Sequence, residues 1–488
     1  MEAKIIKRIN YTLNPDPTRV LIRFFNPGEN LRVTRILARI MELREHEVKK
    51  ELTHVVQKFK NRHQDINSLF YEHFDKVKPY LMTDILFSDE RKQLIGAYFT
   101  SEYSLESAAL FNPSVVPHFD QSGLPEGSTR FIMSLRATGE GHISSIEFRS
   151  GTIDSKNRIT IDEPGEFVSD PEIIENPTYD KKSFEMKLFE IGIDNEYSDE
   201  IMNGLDHNFS FDSLDERLKQ IQHSKGKKTQ RFNETIDAIK WLAQSNHEVK
   251  FNPNVKLSER VIFPYFFTER KGIEDARFVR FQEDNGEYIY YATYTAFDGK
   301  NFLPQLLETK DFLHFKFITL NGIAVQNKGM ALFPHKINGK YAMISRQDNE
   351  NLFIMYSDDI YLWRETKVLI KPSYSWEFIQ IGNCGSPIET EKGWLLITHG
   401  VGAMRRYCIG AVLLDKHDPS KIIGRLKVPL IEPDEEEREG YVPNVVYTCG
   451  AMLHQNKTLL IPYAMSDYAT TFGIVDLKTL LNRLLTNS

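Results

Sequence analysis

Cysteine is scarce in this chain: three residues, Cys384, Cys408 and Cys449, in 488. An odd count without C-x-x-C spacing excludes a disulfide framework. A reducing cytoplasm is the expected compartment. Long apolar runs are also missing. No segment approaches the length of a transmembrane helix, and the opening MEAKIIKRINYTLNPD lacks the apolar stretch of a signal peptide. A substrate found or imported inside the cell follows from that expectation. Charge of one sign is not in excess: the formal net charge is −7, which gives no basis for non-specific binding to nucleic acid. Nucleotide loops are absent as well, because Gly139-Glu-Gly141 is not followed by Lys-Ser or by a helix signal. His46, His54, His63 and His73 lack a carboxylate–histidine pattern that would hold a metal, so no metal and no resident cofactor are expected.

What is present is β-rich and aromatic, with 32 Phe and 21 Tyr against 4 Trp. Residues 17–26 read as a strand closed by Pro27-Gly28. From Asn30 to about Arg62 the apolar residues return every three to four positions, a helical period, and a further helix is predicted from Ile66 to Val77, stopped by Pro79. From about Leu94, beginning at Gly96-Ala-Tyr-Phe-Thr, the pattern turns to β. Arg130–Arg136 and His142–Arg149 predict a hairpin, and Asp154 to Ile161 another short strand. Residues 163–250 break the series with amphipathic helices around Asp212 and Asn233, joined by the basic turn Ser224-Lys-Gly-Lys-Lys. After Asn252, strands resume with turn residues between them. Pairs of hairpins return at a period of about fifty residues, that of a propeller blade. The expectation is therefore a mainly β chain: a five-bladed β-propeller over 94–488, with a helical insertion at about 163–250 and an N-terminal strand plus helical region over 1–93. A jelly roll or sandwich is the alternative architecture.

The most informative segment is Gly272-Ile-Glu-Asp-Ala-Arg, followed by the strand that ends at Tyr294-Thr-Ala-Phe-Asp-Gly. It brings Glu274 and Asp275 beside Arg277 at the entry of a hairpin. A carboxylate held at a strand edge is suited to general-acid cleavage of an acetal. Together with Asn327-Lys328 before Leu332-Phe-Pro, Gly393-Trp-Leu-Leu-Ile-Thr-His399-Gly-Val and Gly440-Tyr-Val-Pro-Asn-Val-Val, it resembles glycoside hydrolase family 130, the mannoside phosphorylases and β-mannosidases. The likeness spans roughly residues 95–480. It implies a five-bladed propeller with a central active-site cleft. Ala276 stands where the family motif carries Pro, and the N-terminal helices and the 163–250 segment are additions to the minimal family domain.

The resemblance implies Asp275 as the general acid, its proton passing through a hydroxyl of the bound sugar. Glu274 would orient the acid or bind a sugar hydroxyl. A phosphorylase also needs donors that place phosphate. By the resemblance these are Lys300, Asn301, Lys328 and His399, with Tyr407 assisting; Arg136 and Arg149 on the first blade are the candidate arginines. The expected activity is an inverting phosphorylase, glycosyltransferase-like, that cleaves a β-mannoside with inorganic phosphate as co-substrate to give α-mannose 1-phosphate. An inverting β-mannosidase on the same scaffold would require a second carboxylate about 6.5–9.5 Å from the acid, with Glu377, Glu389 and the run Asp434-Glu-Glu-Glu-Arg-Glu439 available. A non-catalytic carbohydrate-binding propeller is the third reading. The expected partners are a β-mannoside oligosaccharide and phosphate, with no nucleic acid and no membrane, and the added helices suit a homo-oligomer.

Overall fold

In the computed structural model the described residues are 5–81, 85–174, 177–224 and 229–486. The 225–228 part of the basic turn lies outside them. The chain is mainly β. Sheet I runs Ala109–Pro117, Thr129–Thr138, Ser144–Ile153, Val261–Ile262; sheet II runs Gly272–Gln282, Tyr288–Phe297, Phe302–Thr309, His314–Thr319, His247–Lys250, Glu172–Ile174. Sheet III is Ala331–Leu332, Tyr341–Ser345, Leu352–Ser357, Thr366–Ile370, and sheet IV is Gln380–Asn383, Gly393–Val401, Tyr407–Leu414, Ile422–Arg425. Sheet V is Val446–Tyr447, Thr458–Met465, Ala469–Asp476 and, from the other end of the chain, Ile6–Leu13. Successive strands pair antiparallel, as short hairpin connections require.

Neighbouring sheets touch near their leading strands. The Ser114 hydroxyl of sheet I accepts from the Phe278 amide of sheet II at 3.0 Å. Thr293 of sheet II donates to the Met330 carbonyl that opens sheet III. Asn383 of sheet IV donates to the Gly329 carbonyl at 2.6 Å. Gly385 lies so close to Cys449 that a Cβ would stand 2.4 Å from its carbonyl oxygen. The Cys449 amide returns to sheet I, donating to the Pro113 carbonyl at 2.8 Å. Apolar clusters fill the spaces between sheets, one joining sheets I and II around Phe148, Phe278 and Phe312, another joining IV and V around Leu413, Ile461 and Tyr463.

The N-terminal region departs from the expected pattern in three places. The helical run from Asn30 is two helices, Asn30–Met41 and Glu45–Phe59. Arg44 between them is extended, and the Glu47 carboxylate accepts its amide at 2.8 Å, starting a new helix. Gly96-Ala-Tyr, expected as β, belongs to the helix Asp89–Tyr98, which Ser88 caps through the Arg91 amide at 3.2 Å. Gly96 permits contact with the helix Ile66–Val77: a Cβ there would meet the Phe70 carbonyl oxygen at 1.7 Å. Finally, Ile6–Leu13 is a strand of sheet V, whereas Val20–Phe24 pairs with Thr100–Ser104.

Residues 181–244 form the helices Lys181–Glu190, Glu196–Asn203, Phe211–Ser224 and Gln230–Gln244 around their own apolar core. Both ends of the segment are stitched to sheet II, through Glu172–Ile174 and His247–Lys250. The buried Lys187 donates to the Leu320 carbonyl at 2.9 Å, and Glu190 accepts from the Gly322 amide at 2.6 Å.

A buried ion network ties the N-terminal region to sheet I. Arg19 and Arg149 meet Glu106 and Glu147: Arg19 lies 2.9 Å from each carboxylate, and Arg149 lies 2.6 Å from Glu106 and 3.2 Å from Glu147. All four side chains are buried. Removing one partner strands an uncompensated charge, so Arg149→Ala is expected to cost about 3–5 kcal/mol, measured as the fall in urea midpoint. A variant that keeps its midpoint and instead raises the KM for an anionic substrate would refute this structural role.

Candidate active site

Asp275 sits in a β-bulge. Glu274 pairs with Thr295 and Arg277 with Thr293, so Asp275 and Ala276 together oppose one residue. The backbone of Asp275 is left-handed (φ 55°), a conformation that aspartate tolerates better than most side chains. Ala276 is buried in the core between sheets I and II. Sheet I carries a matching bulge between Phe111 and Ser114, with Asn112 also left-handed (φ 48°). The two bulges meet, and Asn112 Nδ2 donates to Asp275 Oδ1 at 2.7 Å.

Cations surround the acidic pair. Arg136 reaches Glu274 at 3.0 Å and Asp275 at 3.4 Å; Lys328 Nζ reaches Glu274 at 3.3 Å. Arg277 Nη1 donates to the Asp275 carbonyl at 3.0 Å, and its Nη2 lies 4.0 Å from the Asp275 carboxylate and 2.6 Å from the Tyr447 hydroxyl. Burial pushes the Asp275 carboxyl up, but the charges of Arg136, Arg277 and Lys328, with the Asn112 amide, outweigh it and hold the group down at about 2.

The chain of contacts continues from Tyr447 to His399, whose ring centroid is 5.0 Å away, and from His399 to Tyr407, stacked at 5.9 Å. His399 is seated against Gly382, where a Cβ would lie 2.2 Å from the imidazole. Burial, then Arg346 and Arg277, push its pKa well below the ordinary imidazole value. The ring is therefore neutral. A tautomer protonated at Nδ1 donates to the Asn383 carbonyl at 3.2 Å and leaves Nε2 to accept from Arg346 Nη1 at 3.2 Å. Arg346 is buried, and among the described residues it has no carboxylate partner. Arg277 Nη2 and Arg346 Nε each lie 4.0 Å from where a Cβ of Gly329 would stand. The Nε atoms of Arg136, Arg277 and Arg346 are all buried without a hydrogen-bond partner. Two neighbouring guanidiniums, each with an unmet Nε donor, suit a tetrahedral oxyanion.

Of the residues singled out from sequence, the structure brings Glu274, Asp275, Arg136, Lys328, His399 and Tyr407 into this one connected group. Lys300 and Asn301 stand in the turn after Tyr288–Phe297, their amides donating to Asp298 Oδ1 at 2.7 Å each. They adjoin the group through Phe302, over whose ring Lys328 Nζ sits at 5.2 Å. Arg149 lies in the buried ion network with Glu106 and Glu147. Asn112, Arg346, Tyr447 and Asp467 were not singled out. Asp467, at the left-handed tip of the hairpin between Thr458–Met465 and Ala469–Asp476 (φ 51°), is pushed up to about 6 by burial and by the charge of Asp275. Its signal was the Ser466-Asp467 turn ending an apolar strand, the same grammar as Asp298-Gly299. Among the described residues no group of three or more His, Cys, Asp or Glu could hold a metal ion.

The family model for glycoside hydrolase family 130, described as β-1,4-mannooligosaccharide phosphorylase, matches residues 232–485, just over half of the chain. The chain belongs to glycoside hydrolase family 130. It is 37% identical over 217 residues to a 1,2-β-oligomannan phosphorylase of Thermoanaerobacter sp. (strain X514), covering 43% of this chain and 70% of the relative. It is 29% identical over 322 residues to a β-1,2-mannobiose phosphorylase of Listeria innocua, covering 63% and 81%. The solved structure of a β-1,2-mannobiose phosphorylase from Listeria innocua with β-1,2-mannobiose aligns over 78% of this chain and 93% of that one, with 24% identity and a TM-score of 0.47. The family 130 match takes in Asp275, Arg277, Lys328, Arg346, His399, Tyr447 and Asp467; Asn112 and Arg136 of sheet I precede it.

The site links two equilibria. An oxyanion held at Arg277 would offset one of the three charges that hold Asp275 ionised, so its binding would raise the Asp275 pKa and draw in a proton at pH values between its free and bound pKa. Sulfate, which remains a dianion, is the probe: calorimetric titration at about pH 4.5, near the ordinary carboxylate range, in two buffers of different ionisation heat is expected to show proton uptake. Asp275→Asn is expected to lose it. Equal uptake by that variant would place the titrating group elsewhere.

Proposed function

We propose that the chain is an inverting phosphorylase that cleaves a β-mannoside with inorganic phosphate, giving α-mannose 1-phosphate and a shortened saccharide. The observation that carries this reading is the Asp275 carboxylate set beside two buried arginines, Arg277 and Arg346, whose charge the protein leaves largely unmet. The activities named for the relatives, phosphorolysis of β-1,2-oligomannan and β-1,2-mannobiose, support it.

Phosphate at neutral pH is already an anionic nucleophile and needs placement rather than deprotonation. Arg277 and Arg346 place it, with Lys328 and the Tyr407 and Tyr447 hydroxyls in reach of the same group. His399 is a positioning residue: neutral and buried, it holds Arg346 through Nε2. A phosphate oxygen forms a bond to the anomeric carbon on the face opposite the glycosidic oxygen while the glycosidic bond breaks. The configuration inverts from β to α. The leaving oxygen takes a proton that originates on Asp275, relayed through a hydroxyl of the bound sugar. Phosphate loading favours the protonated acid, because it offsets the Arg277 part of the charge that keeps Asp275 ionised; the Arg136 charge remains. Arg136 and Asn112 orient the carboxyl. No cofactor enters the scheme, and phosphate is a co-substrate.

A hydrolase on this scaffold needs a free carboxylate to activate water. Glu377 is buried against Arg425 and caps the amides of Ser373 and Tyr374; Glu389 pairs with His335 and Lys416; Glu437 is held by Arg8 and the Tyr463 hydroxyl. These engagements take Glu377, Glu389 and Glu437 out of that role.

The five larger sheets are read as the blades of a propeller, a reading supported by the contacts that link the leading strand region of each to the next. Residues 94–488 together with the strand Ile6–Leu13 would form the catalytic domain, with the 163–250 segment as its insertion. No helix among the described residues is long and apolar enough to cross a membrane, and the free, buried Cys384, Cys408 and Cys449 suit a reducing cytoplasm. Exposed Leu31 and Leu86 in the N-terminal region support self-association there; sedimentation should report an oligomer, and a monomer at micromolar concentration would end that part of the reading.

The decisive assay measures sugar 1-phosphate released from β-1,2- and β-1,4-mannobiose with and without phosphate. Product is expected only with phosphate. Asp275→Asn is expected to lower kcat by at least about 100-fold, the scale of general-acid catalysis. Sugar release at an equal rate in phosphate-free buffer would identify a hydrolase and overturn the proposal.

A further inference from the structure

Arg346 is held differently from other buried arginines of this protein. Arg19 and Arg149 are matched by the carboxylates of Glu106 and Glu147, and Arg425 is met by Glu377 at 2.5 Å. Arg346 is met instead by two neutral acceptors. Its Nη1 amino group carries two hydrogens. His399 Nε2 accepts one at 3.2 Å, and the side-chain amide oxygen of Gln380 accepts the other. The Gln380 nitrogen then donates to the Asn349 carbonyl at 3.1 Å. The reverse orientation of that amide would set two donors against each other.

Gln380 stands in the seam between two sheets. It opens the first strand of sheet IV and pairs with Val401. Its backbone amide donates to the Glu377 carbonyl at 3.0 Å, and the next amide, of Ile381, crosses to the Glu350 carbonyl of sheet III at 3.0 Å. Asn349 is left-handed (φ 62°) in the turn between Tyr341–Ser345 and Leu352–Ser357. Backbone on both sides therefore fixes where the Gln380 amide points. Anchoring Nη1 leaves the opposite edge of the guanidinium, Nε and Nη2, which is the edge that grips an oxyanion through two parallel bonds. The Nε of that edge is buried without a partner and faces Gly329, as does Arg277 Nη2, each 4.0 Å from where a Cβ would stand.

We propose that Gln380 is a positioning residue for the oxyanion: it aims Arg346 through a neutral acceptor and so leaves the guanidinium charge for the ligand. The choice of residue type matters. Glutamate has the same length and shape, but its charge would pair with Arg346 and compete with the anion. The inference rests on the phosphorolytic reading above and adds a residue that sets how tightly phosphate is held, separately from the saccharide.

The test compares Gln380→Glu, which keeps the acceptor and adds a charge, with Gln380→Met, which removes the acceptor at similar volume. Gln380 is half-buried, so neither change strands a group in the core. The KM for phosphate is expected to rise about fivefold in Gln380→Met, the size of one lost hydrogen bond. In Gln380→Glu it is expected to rise by at least about thirtyfold, because a full charge then opposes the anion. The KM for β-1,2-mannobiose at saturating phosphate is expected to stay within about twofold in both. A phosphate KM in Gln380→Glu that is unchanged, or lower than in Gln380→Met, overturns the inference. An equal rise in KM for both substrates also overturns it, since a purely structural role would give that result. Calorimetric titration with sulfate separates the inference from the reading beneath it. Sulfate binding that Gln380→Glu loses, with no sugar 1-phosphate released by the wild type, keeps the positioning role and overturns phosphorolysis. Equal sulfate binding by the two proteins overturns the positioning role and leaves phosphorolysis standing.

Discussion

An imbalance of buried charge governs the centre of this protein. Glu274 and Asp275 share Arg136, Glu274 also pairs with Lys328, and Arg277 and Arg346 both approach Gly329, the first 4.0 Å from a single carboxylate and the second with none among the described residues. Placing like charges in a low-dielectric interior is costly unless something compensates them. A domain selected only for stability would not keep this arrangement; one that must seize an anion would. The neutral His399 is part of the same economy, since a protonated ring beside two guanidiniums would add to the repulsion.

The sheets make that imbalance sustainable. Asn112 and Asp275 sit in paired bulges on adjoining leading strands, where the extra residue turns its side chain out of the pleat. Hydrogen bonds from Phe278 to Ser114, from Asn383 and from Cys449 lock the neighbouring sheets together around them. The charged groups are therefore held by backbone geometry as well as by one another, which is the requirement for a preorganised site.

Much of this was legible in the sequence. Alternating apolar strands separated by Gly, Asn and Asp turns announced the sheets, and the Gly272–Arg277 segment announced the acid. What escaped was whatever depends on two sheets meeting. Arg346 ends an ordinary strand, and only the proximity of Arg277 and His399 gives it meaning; Asn112 matters because its bulge faces another. Arg149 looked available for an anion, although Glu147, two positions earlier on the same face of the strand, was the clue that its charge was already matched. Gly96-Ala-Tyr-Phe-Thr reads as β from its aromatic residues, while the signal for the helix is the Ser88 cap eight residues upstream.

The pairing of Ile6–Leu13 with Ala469–Asp476 has a consequence for biogenesis. Ile6 meets Val475, so sheet V cannot be finished until both of these distant strands have left the ribosome, and Ile6–Leu13 must wait unpaired while the sheets between them assemble. Such long-range closure slows folding and exposes a bare sheet edge in the interval. A nascent chain arrested before the hairpin of Thr458–Met465 and Ala469–Asp476 leaves Ile6–Leu13 with nothing to clasp.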